Sequence, residues 1–223
     1  MISADGTVTT SFETTPIMSS YLLAFMVSDF AVRSNANTKS ANETLHRIYM
    51  RPNAINRSDL ALINSVELLQ QLEDFVNVKF ELPTMNSAAI PDFAAGAMEN
   101  WGLITYTEEY LIGDFKSSHK EIINILQTIA HELGHQFFGN LVTCQWWESI
   151  WLNEGFATVF EYLLLEKEYP KMRWLDLFNV DQLRSAFRSD STEETRAMTT
   201  GAQTPSEISD LFDDIAYAKC KLI

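Results

Sequence analysis

The chain has 223 residues, of which 46 % are hydrophobic and 21 % charged, with a formal net charge of -14. That length allows one large domain or one and a half, and the balance is that of a globular chain, not a disordered or fibrous one. The acidity argues against nucleic acid as a partner, because phosphate backbones are bound by basic patches, and no stretch approaches the ~20 uninterrupted apolar residues of a membrane helix.

Residues 1–50 read as β. The segment 21–32 is rich in aliphatic and aromatic residues, 45–50 is a second strand candidate, and the polar stretch 34–42 between them forms turns. No basic region precedes a hydrophobic core at the N-terminus, so it does not read as a signal peptide. Arg51-Pro52-Asn53 breaks the pattern and is the best domain boundary. Ser58 is placed to cap a helix running to about Val76, with Leu62, Val66, Leu69, Leu72 and Phe75 on its apolar face. Strands are predicted at 78–82, 89–93 and 103–106, and from Ser118 onward the chain reads as mostly helical. Ser118 and Glu121 form a capping box, which satisfies free amide donors at a helix start. Ile122, Leu126, Ile129, Leu133 and Phe137 then recur at three-to-four spacing, and Gly139 suits the left-handed position past the helix end. The fold class is α+β, a small mixed sheet beside a helical half.

His131-Glu132-Leu133-Gly134-His135 lies on the last two turns of that helix. Residues four apart stack on one helix face, so both imidazoles can reach one metal ion, while Glu132 sits on the neighbouring flank. Eighteen residues separate His135 from Glu154, enough for a connection and the start of a second packed helix. Glu154 completes three ligands and leaves the fourth tetrahedral position open, the pattern of a catalytic zinc site holding one Zn2+. The longer motif with a third histidine is excluded, because it needs Gly at 138 and His at 141, where this chain has Phe138 and Leu141.

The other conspicuous residues read as structural. Trp146, Trp147 and Trp151 are expected as core packing around the zinc helices, His46 and His119 are not expected as ligands, and 190–196 reads as a solvated charged loop. Cys144 and Cys220 define no disulfide framework. Asn42-Glu43-Thr44 and Asn56-Arg57-Ser58 are glycosylation tripeptides if the chain is secreted, which leans the expected location toward the extracellular space or the plasma-membrane surface, with the cytoplasm as the other possibility.

Gly96-Ala97-Met98-Glu99-Asn100, upstream of the His-Glu-x-x-His helix and the distal glutamate, resembles the zinc aminopeptidases of the aminopeptidase N family. The similarity extends from about Thr14 to Ile223. It implies a thermolysin-like catalytic domain over 51–223, truncated at its C-terminal end, preceded over 1–50 by the tail of an N-terminal β domain. It implies removal of single residues from peptides with a free N-terminus, with His131, His135 and Glu154 as zinc ligands and Glu132 as general base. By the same resemblance Gly96, Ala97, Met98, Glu99 and Asn100 bind substrate, Glu99 holding the α-ammonium, and Tyr217 supports the tetrahedral intermediate. Read alone, Glu99 would be a solvated loop carboxylate and Tyr217 a core or interface tyrosine.

Several residues depart from the family pattern. Phe137 and Thr107 replace a usual tryptophan and arginine, and Cys220 replaces a glycine soon after Tyr217. Ser149 stands for a common aspartate, which removes a carboxylate expected to orient a ligand. The length is that of a fragment, so the alternative is a catalytically impaired zinc-binding module. A third reading is an endopeptidase or epoxide hydrolase on the same scaffold.

Overall fold

The computed structural model describes residues 5–37 and 43–219. Asn42 of the first glycosylation tripeptide, the end of the 34–42 turn, Cys220 and Lys221 lie outside the described residues. Five strands, β1 (Ala31–Ser34), β2 (Leu45–Met50), β3 (Thr84–Ile90), β4 (Ala97–Met98) and β5 (Leu103–Thr107), form one sheet in the order β1-β2-β3-β5-β4. Strands β2, β3 and β5 run parallel, and the two outer strands, β1 and β4, pair antiparallel to their neighbours. The expected boundary at Arg51-Pro52-Asn53 therefore falls within this sheet, whose strands come from both sides of it.

The helices α1 (Asp59–Val76), α2 (His119–Phe137) and α3 (Trp151–Glu168) build the core with the buried residues of the sheet. Beyond them lie α4 (Trp174–Phe178), a π-helical turn at Asn179–Leu183, α5 (Arg184–Asp190), α6 (Pro205–Ser209) and the single turn α7 (Asp214–Tyr217). The α+β class expected from the sequence is thus the observed one.

Several elements differ from expectation. The segment 21–32 begins in a 3-10 turn at Ser20–Leu22 and then has no regular structure until it joins a strand at Ala31. Its composition favours β, but β propensity describes fit to a neighbouring strand, and Leu23, Phe25 and Val27 lie exposed without one. Residues 78–82 are loop, because the Glu73 carboxylate takes the Phe80 N–H at 2.8 Å and the Lys79 ammonium at 2.7 Å. The strand starts instead at Thr84 and stops at Ile90, just before Asp92 turns with φ 56°. Ser58 does not cap α1: its backbone is helical and its hydroxyl donates to the Ile55 carbonyl at 2.6 Å. The buried face of α1 includes Leu60, Ala61, Leu68, Leu69 and Leu72, whereas Phe75 is 67 % exposed.

Trp146 is also exposed, at 54 %, so it is not the core residue the sequence suggested. Trp151 donates its indole N–H to Thr199 Oγ1 at 3.0 Å, and the fully buried tryptophan is Trp174. His119 is exposed at the start of α2. His46 is buried in β2, with burial pushing its imidazole down to about 4.

Candidate metal centre

Helix α2 begins as its sequence requires. Ser118 Oγ accepts the Glu121 N–H, and the Glu121 carboxylate accepts the Ser118 N–H at 2.8 Å. Ile125, Leu126, Ile129, Ala130 and Leu133 bury one face of it. Gly134 lets the last turns approach α3 closely, since a Cβ there would lie 3.1 Å from the Ala157 Cα. Ala157 is one turn past Glu154, so this contact brings the glutamate up to the two histidines.

The donor atoms converge. His135 Nε2 is 3.0 Å from His131 Nε2 and 3.2 Å from Glu154 Oε2, and His131 Nε2 is 3.3 Å from the same oxygen. In a tetrahedral site with bonds of about 2.0–2.2 Å, neighbouring donors stand about 3.3 Å apart, so these distances fit zinc. Among the described residues this is the one set of three histidine, cysteine or acidic side chains whose donors lie within 4.8 Å of one another.

The groups behind the ligands fix their aim. His135 Nδ1 faces the Phe138 carbonyl at 3.1 Å, which as a donor leaves Nε2 with its lone pair toward the centre. Gly139, with φ 142°, turns the chain just beyond, where a Cβ would press to 3.1 Å from that Nδ1. The Glu161 carboxylate stands 3.4 Å from His131 Nδ1. Two turns past Glu154 on α3, it stands where it can orient His131, the part expected of a carboxylate at position 149.

The centre attracts positive charge. Burial disfavours protonation of His131, but the Glu154 and Glu161 carboxylates outweigh it and raise the imidazole to about 10. Burial likewise opposes the charge on His135, and Glu154 and Glu99 raise it to about 9. Although burial alone would raise Glu154, the two imidazoles hold it far below the usual carboxylate range. A dication competes for the same lone pairs by displacing these protons.

Glu132 lies outside the ligand set. Burial pushes its carboxyl upward against the opposing pull of His131 and His135, while Glu99 and Glu154 add to the rise. Its Oε2 is buried with no hydrogen-bond partner. It lines a cavity of about 510 Å³ together with the three candidate ligands, Ala97, Met98, Glu99 and Tyr217. Tyr217 stacks on His131 with ring centroids 6.0 Å apart and donates a hydrogen bond to Glu154. Burial, then the Glu154 and Glu132 charges, push its phenol well above the usual range.

Gly96 and Asn100 stand back from the cavity. The Gly96 carbonyl accepts the Thr107 N–H at 2.9 Å. Asn100 Nδ2 donates to the Leu22 carbonyl at 3.2 Å. The strap between them is bolted to the end of α2, for Gln136 Nε2 and Asn140 Nδ2 donate to the Glu99 carbonyl at 3.1 and 2.9 Å. Gln136 Oε1 also accepts the Gly102 N–H. These ties, Glu161 behind His131, and the cavity walls Tyr21 and Trp147 escaped the sequence reading. Glu161 was findable, seven positions from Glu154 on one helix; the others carry no periodic signal.

The sequence model of the peptidase family M1 domain matches residues 60–223. Endoplasmic reticulum aminopeptidase 1 of Homo sapiens is 42 % identical over 217 residues, covering 97 % of this chain and 23 % of that protein. Aminopeptidase N of Bos taurus is 42 % identical over 218 residues, with 94 % and 22 % covered, and that of Haemonchus contortus is 41 % identical over 224 residues, with 98 % and 22 % covered. The chain thus spans less than a quarter of the length of these curated relatives.

Proposed function

Because the chain belongs to peptidase family M1, we propose that it carries the reacting centre of a zinc aminopeptidase, which hydrolyses N-terminal residues from peptides. The observation that carries this reading is the meeting of four carboxylate and imidazole groups with Glu99 and Tyr217 in one cavity. The names of the relatives support the substrate class. His131, His135 and Glu154 would hold the ion. Zinc, when bound, polarises a carbonyl and lowers the pKa of a coordinated water to ~7.

Glu132 accepts the proton of the attacking water as its oxygen bonds to the scissile carbonyl carbon. The raised pKa of a buried carboxyl brings it toward the working pH, where a general base is most effective. The same carboxyl then delivers the proton to the departing nitrogen as the C–N bond breaks. The Tyr217 hydroxyl, turned toward the ligands, donates to the oxygen that gains negative charge. Such donors are typically worth about a hundred- to a thousand-fold in rate.

Glu99 holds the substrate ammonium and so makes the enzyme cut one residue in. The antiparallel outer strand Ala97–Met98 offers backbone with which an extended peptide pairs. An extracellular or lumenal setting is supported by relatives named for the endoplasmic reticulum and by the exposed Asn56 of the second glycosylation tripeptide. No helix among the described residues is long and apolar enough to cross a membrane.

The test is Glu132→Ala in the zinc-loaded chain. Release of an N-terminal residue should fall by about a hundred- to ten-thousand-fold with zinc content unchanged. Undiminished release would refute the role of Glu132. Zinc binding by the unaltered chain without any release would leave a metal-holding module instead.

A further inference from the structure

The stretch 190–196 is not a solvated loop at its end. Arg196 directs all five guanidinium N–H donors into the fold. Its Nε donates to Asp213 Oδ2 at 2.9 Å and its Nη2 to Asp213 Oδ1 at 2.6 Å, a two-pronged pair. Nη1 donates to the carbonyls of Ala197 and Met198 at 3.0 and 2.9 Å, and Nη2 to that of Leu211 at 2.8 Å. One side chain thus ties residues 197–198 to 211–213.

Asp213 passes that constraint on. Its Oδ1 also accepts the N–H groups of Ile215 and Ala216, each at 3.0 Å, which caps α7. Helix α7 is one turn, too short to hold its own shape, since a helical nucleus costs more than its first hydrogen bond returns. Its orientation comes from its surroundings: Ile215 and Ala216 are buried, Lys219 just past its end pairs with Asp190, and Arg196 with Asp213 fixes its start. The last residue of that turn is Tyr217, whose hydroxyl meets Glu154. Phe212, next to the clamped Leu211, lines the same cavity.

We propose that Arg196 is a positioning residue: through Asp213 it sets the angle of α7 and with it the place of the Tyr217 hydroxyl over the metal centre. This rests on the reading of Tyr217 as the donor to the developing oxyanion. A lysine cannot replace the guanidinium, because a point charge on a flexible stem cannot grip both carboxylate oxygens and three carbonyls at once. The pair is partly exposed, so its weight lies in geometry more than in stability.

The experiment is a double-mutant cycle on the zinc-loaded chain with Arg196→Lys, Arg196→Ala and Tyr217→Phe, reading kcat, KM and the affinity for a phosphinate dipeptide analogue that mimics the tetrahedral centre. Arg196→Ala should lower kcat by about 10- to 100-fold with KM little changed, because misplacing a reacting group by ~1 Å costs about that much. Arg196→Lys should recover little of it. In the Tyr217→Phe background neither Arg196 change should lower kcat or phosphinate affinity further. Losses that multiply in that background would overturn the proposal, leaving Arg196 a general structural residue. Unchanged kcat and phosphinate affinity in Tyr217→Phe would instead remove the reading of Tyr217 on which it stands. If Arg196→Ala does not fold, the lysine variant carries the cycle. If turnover is too slow to follow, phosphinate affinity carries it, and equal affinity in all variants would overturn it.

Discussion

Helices α2 and α3 meet along a long buried apolar face with Gly134 against Ala157, whereas Tyr217 sits on a single turn whose apolar seat, Ile215 and Ala216, is supplemented by polar ties. In the first region the ligands inherit their places from helix geometry and close packing, which permits few alternatives. In the second, Arg196, Asp213 and the Ser185 and Ser189 hydroxyls on Asp214 Oδ2 hold a single turn that also buries Ile215 and Ala216. Packing fixes where the metal goes. Polar ties at the start and end of α7, added to a small apolar seat, fix where the Tyr217 hydroxyl goes, and the two regions can be disturbed separately.

The sharpest division is by Tyr217→Phe. It should lower kcat by about a hundred- to a thousand-fold while zinc affinity stays within a few-fold, read by steady-state kinetics and zinc titration. Parallel loss of zinc would merge the two regions into one. A pH titration tests the packed core from the sheet side, apart from both α3 and Tyr217. His46 is 2 % exposed, and its imidazole falls from 6.5 to about 4 on folding. The unfolded chain then binds more protons than the native one, so stability is lost as pH falls from 6.5 toward 4. The loss is roughly 3 kcal/mol in all. Denaturant unfolding across that range should show the slope, and His46→Leu should remove it.

Glu161→Gln tests whether a polar tie matters inside the packed region. Zinc affinity should drop by about 10- to 100-fold as His131 loses its orienting carboxylate. Competition with a chromophoric chelator reads it. No change would mean that packing alone aims the ring. The smallest effect belongs to Gly134→Ala. Overpacking against Ala157 costs about 1–3 kcal/mol, and better helix propensity returns about 0.5–1 kcal/mol, for a net loss near 1 kcal/mol by thermal unfolding.

The same division explains what the sequence disclosed. His131, His135 and the apolar run from Ile122 to Phe137 repeat with the helix, so spacing alone puts both imidazoles on one face. The capping box at Ser118 and Glu121 is equally local. Arg196 and Asp213 stand seventeen positions apart in irregular chain, and nothing in their neighbours marks them as partners. Gln136 and Asn140 look like ordinary polar residues until the strap at Glu99 is folded against them. The 21–32 segment has the composition of a strand, yet pairing depends on a neighbour that composition cannot supply.

The zinc-loaded chain should be given one peptide with a free N-terminus and the same peptide N-acetylated, with release of the first residue followed over time. Release should come from the free peptide alone, and Glu99→Ala should lose that preference. Equal cleavage of both peptides by the unaltered chain would contradict the role given to Glu99.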